Sequence, residues 1–154
     1  IQVDFNLPER FDLSFIDEKN EKVRPIMLHR ATFGSYERFL AMIIEHFQGA
    51  FPLWLSPIQI SLLPITDEVN EYAQKLNEEL LENGIRSSVD LRNERLQAKI
   101  RDGALQKVPY LGIIGKLEME EKSISLRLRD GKDLGKVKIP DLIQKLKQEI
   151  DKKI

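Results

Sequence analysis

The chain has 154 residues, 42% hydrophobic and 32% charged, enough to bury a core and unlike a disordered chain. No apolar run approaches the roughly 20 residues of a membrane span, no signal-peptide pattern opens the chain, and without cysteine there is neither disulfide framework nor thiolate metal site; a cytoplasmic protein with no membrane partner is expected. The net charge of -1 hides an asymmetry: residues 85–138 hold 13 Lys/Arg against 8 Asp/Glu, a basic stretch of the kind that meets a polyanion.

In chain order, Ile1 to Asn6, Arg10 to Ile16 and Lys22 to Leu28 alternate like three strands, with the polar run 17–21 as a hairpin connection. Residue 1 is isoleucine and already part of a strand pattern, so the chain is expected to be cut from something longer. Ser35 is placed to cap a helix running to about Phe47, with Glu37 where the positive end of its dipole favours a carboxylate. Arg38 has the opposite sign to what that turn prefers, so it pairs with Glu37, another anion or a ligand. Phe39, Leu40, Met42, Ile43, Ile44 and Phe47 make the helix apolar nearly all round, which predicts burial on more than one face. Gly49 and the two prolines of 51–57 mark a linker.

The periodicity then changes. Ile58 to Ile65 is a short apolar β run, and Thr66 caps a helix carrying Val69, Tyr72, Ala73, Leu76 and Leu80 on one face. Asn83-Gly84 stops that helix; a strand at 85–91, a helix at 94–107 and a strand at 110–114 follow. This βαβαβ order predicts parallel strands with right-handed crossovers. Ser123 to Leu128 alternates like an exposed strand, 130–132 turns, 134–139 forms another strand, and Pro140 opens a final amphipathic helix. The expected fold is α/β: a small mixed sheet flanked by helices over 58–154, behind a linker at 51–57 and an antiparallel strand–helix unit over 1–50.

Gly34-Ser35-Tyr36-Glu37-Arg38, closing a strand–helix unit, resembles the third signature motif of class II aminoacyl-tRNA synthetases, and His29-Arg30-Ala31 before it is similar to the threonyl-tRNA synthetase version. Ile1 to Phe11 resembles the preceding strand of that family. Asp90-Leu91-Arg92-Asn93-Glu94, Val108-Pro109-Tyr110 and Arg127 to Gly135 resemble its C-terminal anticodon-binding domain, so the resemblance covers essentially the whole chain.

The resemblance implies an enzyme that activates threonine with ATP and magnesium and transfers it to threonine tRNA, working as a homodimer. It places Arg38 against ATP phosphates, where a planar guanidinium fork suits the task. It places Gln2 and Ser35 near the substrate pocket, although solvation of a strand amide and helix capping explain them too. His29 corresponds to one of three protein ligands of a catalytic-site zinc, the others lying upstream. One imidazole does not make such a site, so no tightly held zinc or other cofactor is expected in this chain alone.

The same resemblance makes Asn93, Arg101, Glu118 and Arg127 the readers of anticodon bases. A carboxylate can accept from a guanine edge, and arginine can stack on an unstacked base or fork onto its acceptors. Lys99, Lys116, Arg129 and Lys132 are expected at phosphates, each contributing about 0.7 to the salt slope. The chain alone is expected to be inactive in aminoacylation. The alternatives are a stand-alone, non-catalytic RNA-binding module that reuses the anticodon fold, and a structural fragment without RNA affinity.

Overall fold

The computed structural model describes residues 1–153 in two compact units, 1–43 and 44–154 less its last residue. Ile154, the end of the expected second domain, lies outside the described residues.

In the first unit, β1 (Gln2–Asp4) pairs antiparallel with β4 (Met27–His29), and β2 (Phe15–Ile16) with β3 (Lys22–Val23). Of the expected strand 10–16 only Phe15–Ile16 forms; a helix, α1 (Asn6–Arg10), and the turn after it precede that pair. Its cause is local: Asp4 Oδ1 accepts from the backbone N–H groups of Asn6 and Leu7 at 2.8 and 3.0 Å, turning the chain into a helix whose first turn tolerates Pro8. The expected strand 22–28 is likewise split around Pro25, which offers no N–H to a ladder.

Helix α2 (Tyr36–Phe47) begins where expected, with the Arg38 N–H donating to Ser35 Oγ at 3.3 Å. Its expected burial is not found, however. None of its residues is buried, and Leu40, Met42 and Ile44 are all more than half exposed.

The second unit is built on a five-stranded mixed sheet of order β6-β5-β7-β8-β9. Strands β5 (Ile60–Pro64), β6 (Ser87–Val89) and β7 (Tyr110–Ile114) are parallel, as the βαβαβ order predicts; β8 (Ser123–Leu128) and β9 (Asp133–Lys138) add antiparallel. Between them come α3 (Asn70–Glu82), α4 (Leu96–Leu105), α5 (Lys116–Glu120) and, after β9, α6 (Ile139–Lys152). Thr66 makes no side-chain cap; a 3₁₀ turn over Asp67–Val69 precedes α3 instead. The short α5 was not expected, and β8 is largely buried because β9 pairs along its outer side.

Alternation along the strands divides the sheet cleanly. One face carries Ile60, Leu62, Tyr110, Ile114, Ile124 and Leu126, packed under Ala73, Leu76 and Leu80 of α3 and Leu142 and Leu146 of α6. The opposite face carries Leu63 and Leu111, packed with Leu96 and Ile100 of α4. Residues 51–57, expected as a linker, dock on this unit: Leu53 is buried in its core, and Gln59 Nε2 donates to the Leu53 carbonyl at 2.9 Å.

Gly112 lies at the middle of the sheet, where an added Cβ would come within 2.2 Å of Ile124 Cδ1. Gly112→Ala should therefore overpack the core and cost about 1–3 kcal/mol, read as a lowered urea midpoint at unchanged slope. An unchanged midpoint would contradict this packing.

Candidate functional site

In the first unit, Gln2 and His29 stand directly opposite each other across β1 and β4, so both side chains leave one side of the ladder. Asp4 lies two residues on from Gln2 and shares that side. Its Oδ2 meets His29 Nε2 at 3.0 Å. The Leu7 backbone N–H, then the His29 ring, hold the Asp4 carboxyl below its ordinary value. Such a carboxylate fixes the orientation of an imidazole, and Asp4 was not foreseen as its partner.

The donor set does not fit a zinc ion by itself. His29 offers one imidazole already bonded at Nε2, and among the described residues no three His, Cys, Asp or Glu side chains converge. Arg38 is exposed and, among the described residues, in no ion pair with Glu37 or Glu45. Its side chain lies over Gly34, beside a cleft lined by Phe33, Gly34, Ser35 and Phe39. Glu37 stays below the ordinary carboxylate range through its own backbone N–H and the Ser35 hydroxyl.

In the second unit, the face that carries α4 is only half covered. Leu111, packed beneath α4, is paired with Arg127, and Ile113 with Ser125. Paired residues of an antiparallel ladder share a face, so Ser125 and Arg127 stand on the α4 side, on strands that α4 does not reach. Lys136 pairs with Ser125 and joins them.

Glu118 reaches the same face from α5. Its Oε2 accepts from the Gly115 N–H at 2.9 Å, capping the helix, and its Oε1 accepts from Ser125 Oγ at 3.0 Å. Partial burial alone would raise the Glu118 pKa; the Ser125 hydroxyl, the backbone N–H groups and the Lys136 charge reverse this and hold it below its ordinary value. The carboxylate is thus ionised and fixed, with a lone pair on each oxygen still available. Arg127 is half-buried. Its only ionic contact among the described residues is Asp133 Oδ2 at 3.5 Å, and its Nε is buried without a partner.

Asn93 and Arg101 belong to α4 and the turn before it. Asn93 is exposed three residues ahead of the helix, and Arg101 is exposed on it, 3.5 Å from Asp102. The structure therefore joins Glu118 to the strand of Arg127 through Ser125, and sets Asn93 and Arg101 with the helix on the same face of the sheet.

Two of the expected phosphate contacts are corrected. Lys99 is 5% exposed, and its ammonium donates to the Pro64 and Asp90 carbonyls at 3.1 and 3.0 Å, so it cannot reach a phosphate on the surface. Arg129 ties the end of β8 to the 51–57 segment, donating to the Phe51 carbonyl at 2.8 Å. Lys116 is exposed but paired with Glu68. Lys132 is exposed. Ser125, Lys136 and Lys138 were missed as members of this face. The alternation Ser123-Ile124-Ser125-Leu126-Arg127 already held the signal, once Arg127 was placed there.

The anticodon binding domain profile matches residues 59–149, and that of the class II tRNA synthetase core domain (G, H, P, S and T) matches residues 1–47. The chain is 48% identical over 153 residues to a threonine–tRNA ligase of Clostridium novyi, covering 99% of this chain and 24% of that protein. It is 50% identical over 150 residues to the threonine–tRNA ligase of Caldanaerobacter subterraneus, covering 97% of this chain and 23% of that protein. The chain thus spans about a quarter of the length of these curated relatives. Among solved structures, the RNA binding domain of threonyl-tRNA synthetase from Cryptosporidium parvum superposes with a TM-score of 0.80 at 37% identity, over 96% of this chain and 38% of that one.

Because the folded Glu118 carboxyl titrates below its unfolded value near 4.5, its bonds stabilise the fold above that pH and are lost as pH falls through the lowered value. Ser125→Ala should cost about 0.5–1 kcal/mol at pH 7, allowing for solvent screening. The gap from wild type should close in acid. Urea melts across pH check this; a gap that persists well below the lowered pKa would contradict it.

Proposed function

This chain belongs to the anticodon binding domain family, and from that premise we propose that it is the tRNA-binding portion of a threonine–tRNA ligase, receiving the unpaired anticodon bases of threonine tRNA on the open half of its sheet. Residues 58–154 are the anticodon-binding domain, 51–57 the connection, and 1–50 the end of the class II core. The observation that carries the reading is an ionised Glu118 of α5, held by Ser125 of β8, on the face that also carries Arg127 and is bordered by α4. A carboxylate on a surface that meets phosphates is costly unless it accepts from a base. A guanine Watson–Crick edge offers the N–H donors it needs. Arg127, through the outer nitrogens of its guanidinium, stacks on or forks onto a neighbouring base, while Asn93 and Arg101 close the site from the α4 side. The exposed Lys132, Lys136 and Lys138 face the backbone.

In the intact ligase, ATP-dependent formation of threonyl adenylate and transfer to tRNA rest on positioning and charge stabilisation. From this chain Arg38 holds ATP phosphates, with Gln2 and Ser35 by the substrate and His29, oriented by Asp4, toward zinc. The remaining ligands of that zinc, like the dimer contacts, belong to the rest of the enzyme. Alone, the chain supplies too little of this apparatus to react, and purified chain should show no threonylation of tRNA above background in a charging assay; measurable charging would refute that.

Filter binding of threonine tRNA against an anticodon-altered control tests the main reading. Glu118→Ala should cost about 1–3 kcal/mol of binding to threonine tRNA and narrow the gap between the two RNAs. Equal loss for both would remove base reading from Glu118, and equal binding of both by the wild-type chain would overturn the reading itself.

A further inference from the structure

Among the described residues, Lys99 is the most deeply buried charged side chain. An ammonium withdrawn from water is costly unless its hydrogen bonds are met. The Lys99 acceptors are two carbonyls, Pro64 at the end of β5 and Asp90 just beyond β6. These strands are parallel neighbours, and α3 and α4 leave them on opposite faces of the sheet. The lysine ties the two strand ends together.

From that clamp a polar ladder runs outward along a cleft of about 510 Å³ lined by Ser61, Ser88, Asp90, Arg92, Lys99 and Asp102. The Asp90 carboxylate accepts from Arg92 Nε at 2.9 Å, Nη2 at 2.7 Å and the Arg92 backbone N–H at 3.1 Å. Arg92 Nη1 donates to Asp102 Oδ2 at 3.0 Å, and Asp102 Oδ1 lies 3.5 Å from Arg101 Nη2. Every rung is charge-assisted, and Arg92–Asp102 joins the turn before α4 to the helix itself. Asn93 follows Arg92 directly, and Arg101 is the last rung.

We propose that Lys99 is a positioning residue for base recognition: through the Asp90–Arg92–Asp102 ladder it fixes the turn that presents Asn93 and the side chain of Arg101, without touching RNA. The proposal rests on the anticodon-binding reading and adds a cause for specificity to it. A phosphate-binding lysine and a positioning lysine differ in what their loss changes. The first weakens every RNA alike and lowers the salt slope; the second erodes the preference for the correct anticodon and leaves the slope as it was.

The test uses the whole chain and two RNA hairpins, the threonine anticodon stem–loop and one with altered anticodon bases, titrated over a range of salt. Lys99→Met removes the charge at similar length; Asp102→Asn breaks the ladder at a half-buried rung and spares the clamp. Both variants should lower the affinity ratio between the hairpins by about threefold or more, as expected for coupled neighbours, at an unchanged salt slope. In the free protein, Lys99→Met should also speed amide exchange at Asp90, whose N–H donates to the Leu62 carbonyl, while β8 and β9 keep their protection. A wild-type ratio in Asp102→Asn overturns the proposal, as does a salt slope lowered by about 0.7 in Lys99→Met with equal losses for both hairpins. If Lys99→Met fails to fold, Asp102→Asn decides alone. A wild-type chain that does not distinguish the hairpins would instead overturn the anticodon reading.

Discussion

A five-stranded sheet with helices fully covering one face and a single helix on the other leaves part of the second face uncovered. That constraint organises the second unit. Helix α4 needs an apolar floor and finds it on Leu63 and Leu111. One strand further along, the same register turns Arg127 and Ser125 outward beside Leu111 and Ile113. The open half of the sheet is therefore polar because nothing covers it, and its side chains are held on a rigid ladder rather than on loops. A site on strands keeps its geometry better than one on connections.

The charges on that face are arranged to stay charged. Glu118 is tied at both carboxylate oxygens and lies near Lys136, so it remains an acceptor near neutrality. Among the described residues the ionic contact of Arg127 is a long one, to Asp133, which leaves the outer guanidinium nitrogens loosely held. The acid and base are thus complementary to a nucleobase, which offers donors and acceptors together. They are less suited to a phosphate, which only accepts. Around them, exposed lysines of β9 can carry the salt-dependent part of an interaction with a polyanion.

Much of this was legible in the sequence. Period-two and period-3.6 patterns placed β5, β7, β8, α3 and α6 well, because each has a buried stripe set by one dominant neighbour. The first unit was less legible: Asp4 turns the following residues into a helix through its side chain, which strand alternation does not register. The two-residue pairings of β2 and β3 are too short for any periodicity. At the site, residue types and motifs pointed to Glu118 and Arg127, yet Ser125 joins them only once strand register is known. Lys99 shows the opposite failure. A lysine on a basic helix reads as a surface charge, and only the side-by-side ends of β5 and β6 beneath α4 reveal two carbonyls waiting for its ammonium.

The most direct test of this account is chemical-shift mapping of the threonine anticodon stem–loop on the isotope-labelled chain. The account predicts perturbations concentrated on β8, β9, α5 and the turn before α4, with Glu118, Ser125 and Arg127 among the largest. Perturbations centred on the solvent sides of α3 and α6, with the β8–β9 face unmoved, would contradict it.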